Sequence, residues 1–119
     1  MHLSSKGYKW LTWIWIVFIT VLSLLPGSMT PGMGIPFADK LGHFGFYSIF
    51  SLLALHGYRD KIPVVLILTG IIAYSICIEG LQRWLSVGRH FEFLDILANI
   101  IGSFAGYFVF LILNHKKRS

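Results

Sequence analysis

The chain has 119 residues, of which 55% are hydrophobic, 16% aromatic and only 13% charged. Soluble domains carry about 25% charged residues, and a chain this short cannot hide so much apolar surface from water, so the composition fits a bilayer. The net charge of +5 does not point to nucleic acid: Lys and Arg lie between apolar runs and at the ends, with no basic stripe interleaved with stacking aromatics.

The first apolar segment is WLTWIWIVFITVLSLL, residues 10–25, which closes at Pro26-Gly27. Lys6 and Lys9 precede it, as in a signal peptide, but no A-x-A-like cleavage site follows, so a retained span is expected. The second, LGHFGFYSIFSLLALHGY, covers 41–58 and is introduced by Asp39 and Lys40. The third, PVVLILTGIIAYSICI, covers 63–78 and runs on through Glu79 and Gln82 to Leu85. Its Cys77 belongs to no CxxC pair and reads as a small packing residue. The fourth, ILANIIGSFAGYFVFLIL, covers 96–113. Helices of these lengths rise roughly 24–32 Å, against a bilayer core of about 30 Å. Barrel strands would be shorter and would alternate polar with apolar, which these runs do not. The expected fold is all-α: a four-helix transmembrane bundle with up-down connectivity, spans at about 10–26, 41–58, 63–85 and 94–114, and one domain over 1–119.

The basic residues orient such a bundle. With four spans, the termini share a side with the turn holding Arg59 and Lys61, which gathers Lys6, Lys9, Arg59, Lys61, Lys116, Lys117 and Arg118. The other side holds only Lys40, Arg83 and Arg89. Both termini of the multi-pass protein are therefore expected in the cytoplasm.

Counting inward from the cytoplasmic end of each helix, His43 is 15 residues from Tyr58, Glu79 is 16 from Pro63 and Asn99 is 14 from Leu113. Each then lies roughly 21–24 Å up, in the outer part of the membrane. Asp39, Lys40, Gln82, Arg83, Arg89 and Asp95 fall just above. Asp95, Asn99, Gly102 and Gly106 lie within about 60° of one another around the fourth helix, and Gly102-x-x-x-Gly106 favours close helix contact. His43 and Tyr47 share a face, as do Ser75, Glu79 and Arg83. Intramembrane ionisable groups line interiors and pair with each other, so a polar pocket near the outer headgroups is expected. Plainer readings stand beside this one. Asp39 and Asp95 sit where helix N-termini favour acids, His43 can serve as a buried bridge, and Arg83 can snorkel.

In this order the residues resemble the VanZ-like family of bacterial membrane proteins. SLLPGS closes the first span, and DKLGHFGFYSIFSLL looks like its D-K-x-x-H-F-x-x-Y motif at Asp39, Lys40, His43, Phe44 and Tyr47. EGLQRW matches an E-x-x-Q pair at Glu79 and Gln82. GRHFEFLDILANIIGSFAGY matches R…D-x-x-x-N-x-x-G-x-x-x-G at Arg89, Asp95, Asn99, Gly102 and Gly106. The founding member of that family is associated with resistance to teicoplanin, a glycopeptide that binds cell-wall precursors and carries an acyl chain.

The resemblance and the polar layer together imply a site for a membrane lipid or lipid-linked cell-wall precursor, or for a membrane-anchored glycopeptide. Glu79, His43 and Asp95 are the candidate reactive groups. Asp39, Lys40, Tyr47, Gln82, Arg89 and Asn99 are candidate binding groups, with Lys40 and Arg89 suited to phosphate. Gly102 and Gly106 are candidate packing residues. No cofactor is expected from the motifs, and no close-spaced ligand pattern such as H-E-x-x-H is present. A metal-assisted hydrolase or transferase using a divalent ion remains an alternative. So does a non-catalytic assembly protein, with the polar layer as helix glue and a homo-oligomer through its glycine faces. The K-x6-R-P, P-S-G-H and S-R-x5-H patterns of type-2 phosphatidic-acid phosphatases are missing. Four spans with polar groups in one third leave little for a transport path.

Overall fold

The computed structural model describes residues 4–24, 38–85 and 93–118, with side chains over 4–24, 40–84 and 93–115. Four helices are present: α1 Ser5–Leu24, α2 Ala38–Tyr58, α3 Val64–Leu85 and α4 Phe93–Arg118. No strand occurs among the described residues. Arg89 and the Pro26-Gly27 turn lie outside the described residues, as do the side chains of Asp39, Lys116, Lys117 and Arg118.

The helices begin and end where backbone chemistry permits, which is not always where hydropathy changes. α1 starts five residues before its apolar run: the Ser4 hydroxyl accepts from Gly7 N–H at 3.1 Å and the Ser4 carbonyl from Tyr8 N–H. The Ser4 side chain thus caps one orphan donor while its carbonyl accepts the first intrahelical bond, and Lys6 and Lys9 ride on the helix. Pro63, its φ preset for helix, accepts from Leu66 and Ile67 and opens α3. Along the spans, hydroxyls bond back to their own helix: Thr12 to Tyr8, Thr20 to Ile16, Thr69 to Val65, Ser75 to Ile72 and Ser103 to Asn99. Such back-bonding satisfies a polar group where no water reaches it.

α1, α3 and α4 are long and apolar enough to cross a membrane. α2 falls below that apolarity because Asp39, Lys40, His43 and His56 dilute it. Its position explains this: α2 makes the most extensive contacts of the four helices, above all with α4, whereas among the described residues α1 and α4 do not touch. Protein rather than lipid therefore covers much of its surface, including Tyr47, Phe50, Ser51, Ala54 and Leu55. Large apolar side chains on the other helices point outward instead, among them Trp10, Trp13, Val17 and Val21 on α1 and Ile101, Phe104 and Phe108 on α4.

Side-chain contacts fix the connectivity as up-down. Tyr8 stacks on His56, and Trp15 Nε1 donates to the Phe46 carbonyl at 2.9 Å, so α1 and α2 are antiparallel. The Tyr74 and Thr20 hydroxyls bond to each other, and Gln82 Nε2 donates to Ser23 O at 2.6 Å, so α3 runs parallel to α1. His43 meets Asn99, and His56 meets Phe110, so α4 runs parallel to α2. One end of the bundle thus collects the N-terminus of α1, the α2–α3 turn and the C-terminal part of α4. The other collects the C-terminal ends of α1 and α3 and the N-terminal ends of α2 and α4.

The closest seam joins α2 to α4. A Cβ at Gly102 would overlap the Phe44 carbonyl, and one at Gly106 would overlap Ser51 Oγ and the Ser48 carbonyl. With the backbones this near, Ser48 Oγ donates to Gly102 O at 2.9 Å and Ser51 Oγ to Ser103 O at 2.8 Å. Small residues let backbones approach, and hydroxyls then bridge them, as expected where hydrophobicity alone cannot drive helices together.

Candidate functional site

At the end holding the N-termini of α2 and α4, polar side chains from three helices converge. His43 lies on the second turn of α2, Glu79 near the end of α3, and Asp95 and Asn99 on the first turns of α4. His43 Nδ1 is 2.9 Å from Asn99 Oδ1. Because the amide oxygen can only accept, Nδ1 carries the hydrogen and donates it. The other ring nitrogen, Nε2, then faces Asp95 Oδ2 at 3.8 Å. One donor atom each from His43, Glu79 and Asp95 lies within 4.8 Å of the others. Glu79 is 1% exposed, Asn99 2% and Asp95 7%.

One of the two carboxylates has a cation beside it. Lys40, one turn before His43, puts Nζ 2.8 Å from Asp95 Oδ1. The angle is poor for a hydrogen bond, but at that distance charge attraction governs the contact in so buried a place. Asp95 also lies in the first turn of α4, where the helix dipole favours an anion. The plain and functional readings of Asp95 thus coincide in one residue. Paired ions and hydrogen-bonded amides are how a membrane interior tolerates such groups.

The other residues singled out by sequence are placed as follows. Gln82 is buried and gives its amide N–H to the Ser23 carbonyl near the end of α1. Tyr47, 2% exposed, packs among Phe50 and Tyr74 below the cluster. Ser75 and Glu79 are buried on one face of α3, but Arg83 is exposed. Each four-residue step turns about 40° past a full circle, so two steps carry Arg83 off the inner face. Asp39 falls in the first turn of α2, and its side chain, like all of Arg89, is outside the description. Gly102 and Gly106 form the α2 seam.

Residues that sequence reading did not select also position the cluster. Ser48, Ser51 and Ser103 lock α2 to α4, and Thr20 with Tyr74 ties α1 to α3 beneath it. The signal for the first set was present as small residues every third position on α2: Gly45, Ser48, Ser51, Ala54 and Gly57. An apolar groove of about 410 Å³ between α1, α2 and α3 opens lower down, lined by residues such as Trp13, Ile16, Phe50, Tyr58 and Ile71. Its hydroxyls are engaged elsewhere, Thr12 with Tyr8 and Tyr58 with Trp13.

Comparison with curated proteins gave no match, and neither did comparison with solved structures. Comparison with family models gave the VanZ/LLP1 family over residues 2–114. That stretch takes in α1, α2, α3 and nearly all of α4, together with every side chain of the cluster, and on it the chain belongs to the VanZ/LLP1 family of membrane proteins.

Proposed function

We propose that the cluster binds, and acts on, the headgroup of a phosphate-bearing lipid-linked envelope precursor at the outer face of the bacterial cytoplasmic membrane. The observation that supports this best is the meeting of His43, Glu79 and Asp95 within 4.8 Å at one end of an otherwise apolar bundle. A lipid headgroup is the polar ligand that arrives at that depth without crossing the membrane. In this reading His43, Glu79 and Asp95 together are the reactive centre, with Asn99 orienting the imidazole and Lys40 and Arg89 as phosphate partners. A membrane-anchored glycopeptide such as teicoplanin, entering the same leaflet by its acyl chain, is the competing ligand of the same site.

The test is mass spectrometry of lipids that copurify with the protein. Wild-type protein is expected to carry a phosphate-bearing lipid that Glu79→Gln and His43→Ala lose while remaining inserted in the membrane. Equal lipid content in all three would remove the cluster from the function. Glutamine is isosteric with glutamate, so Glu79→Gln changes charge with little change in packing.

The same reading needs the cluster on the outer side. Seven of the ten basic residues belong to the opposite end, so the positive-inside rule puts both termini and the Arg59–Lys61 turn in the cytoplasm. Asp60 is exposed in that turn, with its side chain 81% accessible. A single-cysteine protein (Cys77→Ser with Asp60→Cys) should react with a membrane-impermeant maleimide only in inverted vesicles. Labelling in intact cells would reverse the orientation.

A further inference from the structure

We propose that His43, Glu79 and Asp95 bind one divalent transition-metal ion. Three helices bring one imidazole and two carboxylates to a single point, and the donor atoms lie within 4.8 Å of one another. Tetrahedral bonds of about 2.0–2.2 Å place donors about 3.3–3.6 Å apart, so side-chain movements of about an ångström close the set on an ion. The separation of 3.8 Å between His43 Nε2 and Asp95 Oδ2 is already close to that spacing.

Three further features favour an ion over solvent. The two carboxylates are 1% and 7% exposed, unlike surface acids that water satisfies. Two like charges this close in an apolar bundle gain from a dication between them. Asn99 Oδ1 accepts from Nδ1–H, so Nε2 is the ring nitrogen that faces the carboxylates and an ion between them. A ligating histidine normally gives its other N–H to such a partner. Lys40 holds Asp95 Oδ1 at 2.8 Å, which leaves Oδ2 for the ion.

The donor set selects the ion. One nitrogen with two carboxylate oxygens suits Mn²⁺, Fe²⁺ or Zn²⁺ better than the all-oxygen preference of Ca²⁺ and Mg²⁺ or the soft ligands of Cu⁺. Three protein ligands leave a coordination position open. If the lipid reading holds, a headgroup phosphate oxygen takes that position.

The experiment uses full-length protein in detergent, stripped with chelator and titrated with Mn²⁺ and, separately, Zn²⁺, with no lipid added. One Mn²⁺ per chain is expected to leave the free-ion EPR signal, and pulsed EPR of the bound ion is expected to show coupling to an imidazole nitrogen. Glu79→Gln, Asp95→Asn and His43→Ala should each weaken uptake by at least about tenfold. No stoichiometric uptake of either ion, bound Mn²⁺ without nitrogen coupling, or wild-type affinity in Glu79→Gln would each overturn the proposal. The nitrogen signal is read on wild-type protein, so the test survives a variant that fails to fold. A protein that takes up Mn²⁺ but carries no lipid keeps the ion site and loses the lipid reading.

Discussion

Gly106→Val should lower the free energy of unfolding by about 2–4 kcal/mol, whereas Gly45→Ala should leave it unchanged or raise it by up to about 1 kcal/mol. Both glycines lie within helices, so helix propensity favours replacing either. What separates them is the neighbour. A side chain at Gly106 runs into Ser51 Oγ and the Ser48 carbonyl, and the carbonyl belongs to backbone that can yield only by moving α2. A Cβ at Gly45 meets nothing within 4 Å. Overpacking a tight contact costs about 1–3 kcal/mol. Separating α2 from α4 also breaks the bonds from Ser48 to Gly102 and from Ser51 to Ser103, at about 0.6 kcal/mol each in a membrane protein. Since folded proteins are stable by about 5–15 kcal/mol, this is a large fraction of the whole. Reversible chemical unfolding in mixed micelles, followed by circular dichroism, reads both effects. A Gly106→Val midpoint equal to wild type would mean that the seam does not carry the bundle. The seam also positions chemistry: His43 is one residue before Phe44, whose carbonyl Gly102 faces, and Asn99 is one turn before Gly102.

Much of this architecture was legible in the residues. Apolar runs separated by Pro, Gly and charges give four helices in order, because length and hydropathy are local properties. The shared depth of His43, Glu79 and Asn99 follows from a fixed rise per residue, and the structure brings the three together. Less legible was anything that depends on a partner's backbone. Gln82 reads as a companion of Glu79 from their spacing, and the structure adds that its amide N–H also reaches the Ser23 carbonyl on α1. Trp15 lies in an apolar run where nothing in the sequence names a partner, yet its N–H finds the Phe46 carbonyl. A carbonyl is the same at every residue, so the sequence carries no mark of which one will be chosen. The start of α1 is hard to read for a related reason. Hydropathy marks where lipid begins, whereas Ser4 marks where hydrogen bonding begins, six residues before Trp10 opens the apolar run. α2 shows the limit of hydropathy itself, since the most central helix of the bundle is the one whose composition least requires lipid.

Asn99→Leu should yield a protein that folds with about 1–3 kcal/mol less stability and binds its ligand about 10–100 times more weakly. The two effects come from one atom. Asn99 is 2% exposed, and its Oδ1 is the acceptor for His43 Nδ1–H. Leucine has a similar volume but accepts nothing, so it strands a donor in an apolar place that water does not reach. The imidazole then relieves the loss by turning or by moving its hydrogen to Nε2, and either change removes the lone pair that faced Asp95 and Glu79. Nitrogen NMR of selectively labelled histidine checks this directly: wild-type His43 should be the Nδ1–H tautomer, and the leucine variant should not. Asn99→Asp is the matched control, since a carboxylate oxygen still accepts from Nδ1 and preserves the tautomer. A structural role alone predicts lower stability in the leucine variant with an unchanged tautomer and unchanged affinity. That outcome would make Asn99 packing material and leave Nε2 without a reason to face the two acids. A tautomer that shifts along with binding, and recovers in Asn99→Asp, ties the reactivity of α2 to a single oxygen on α4.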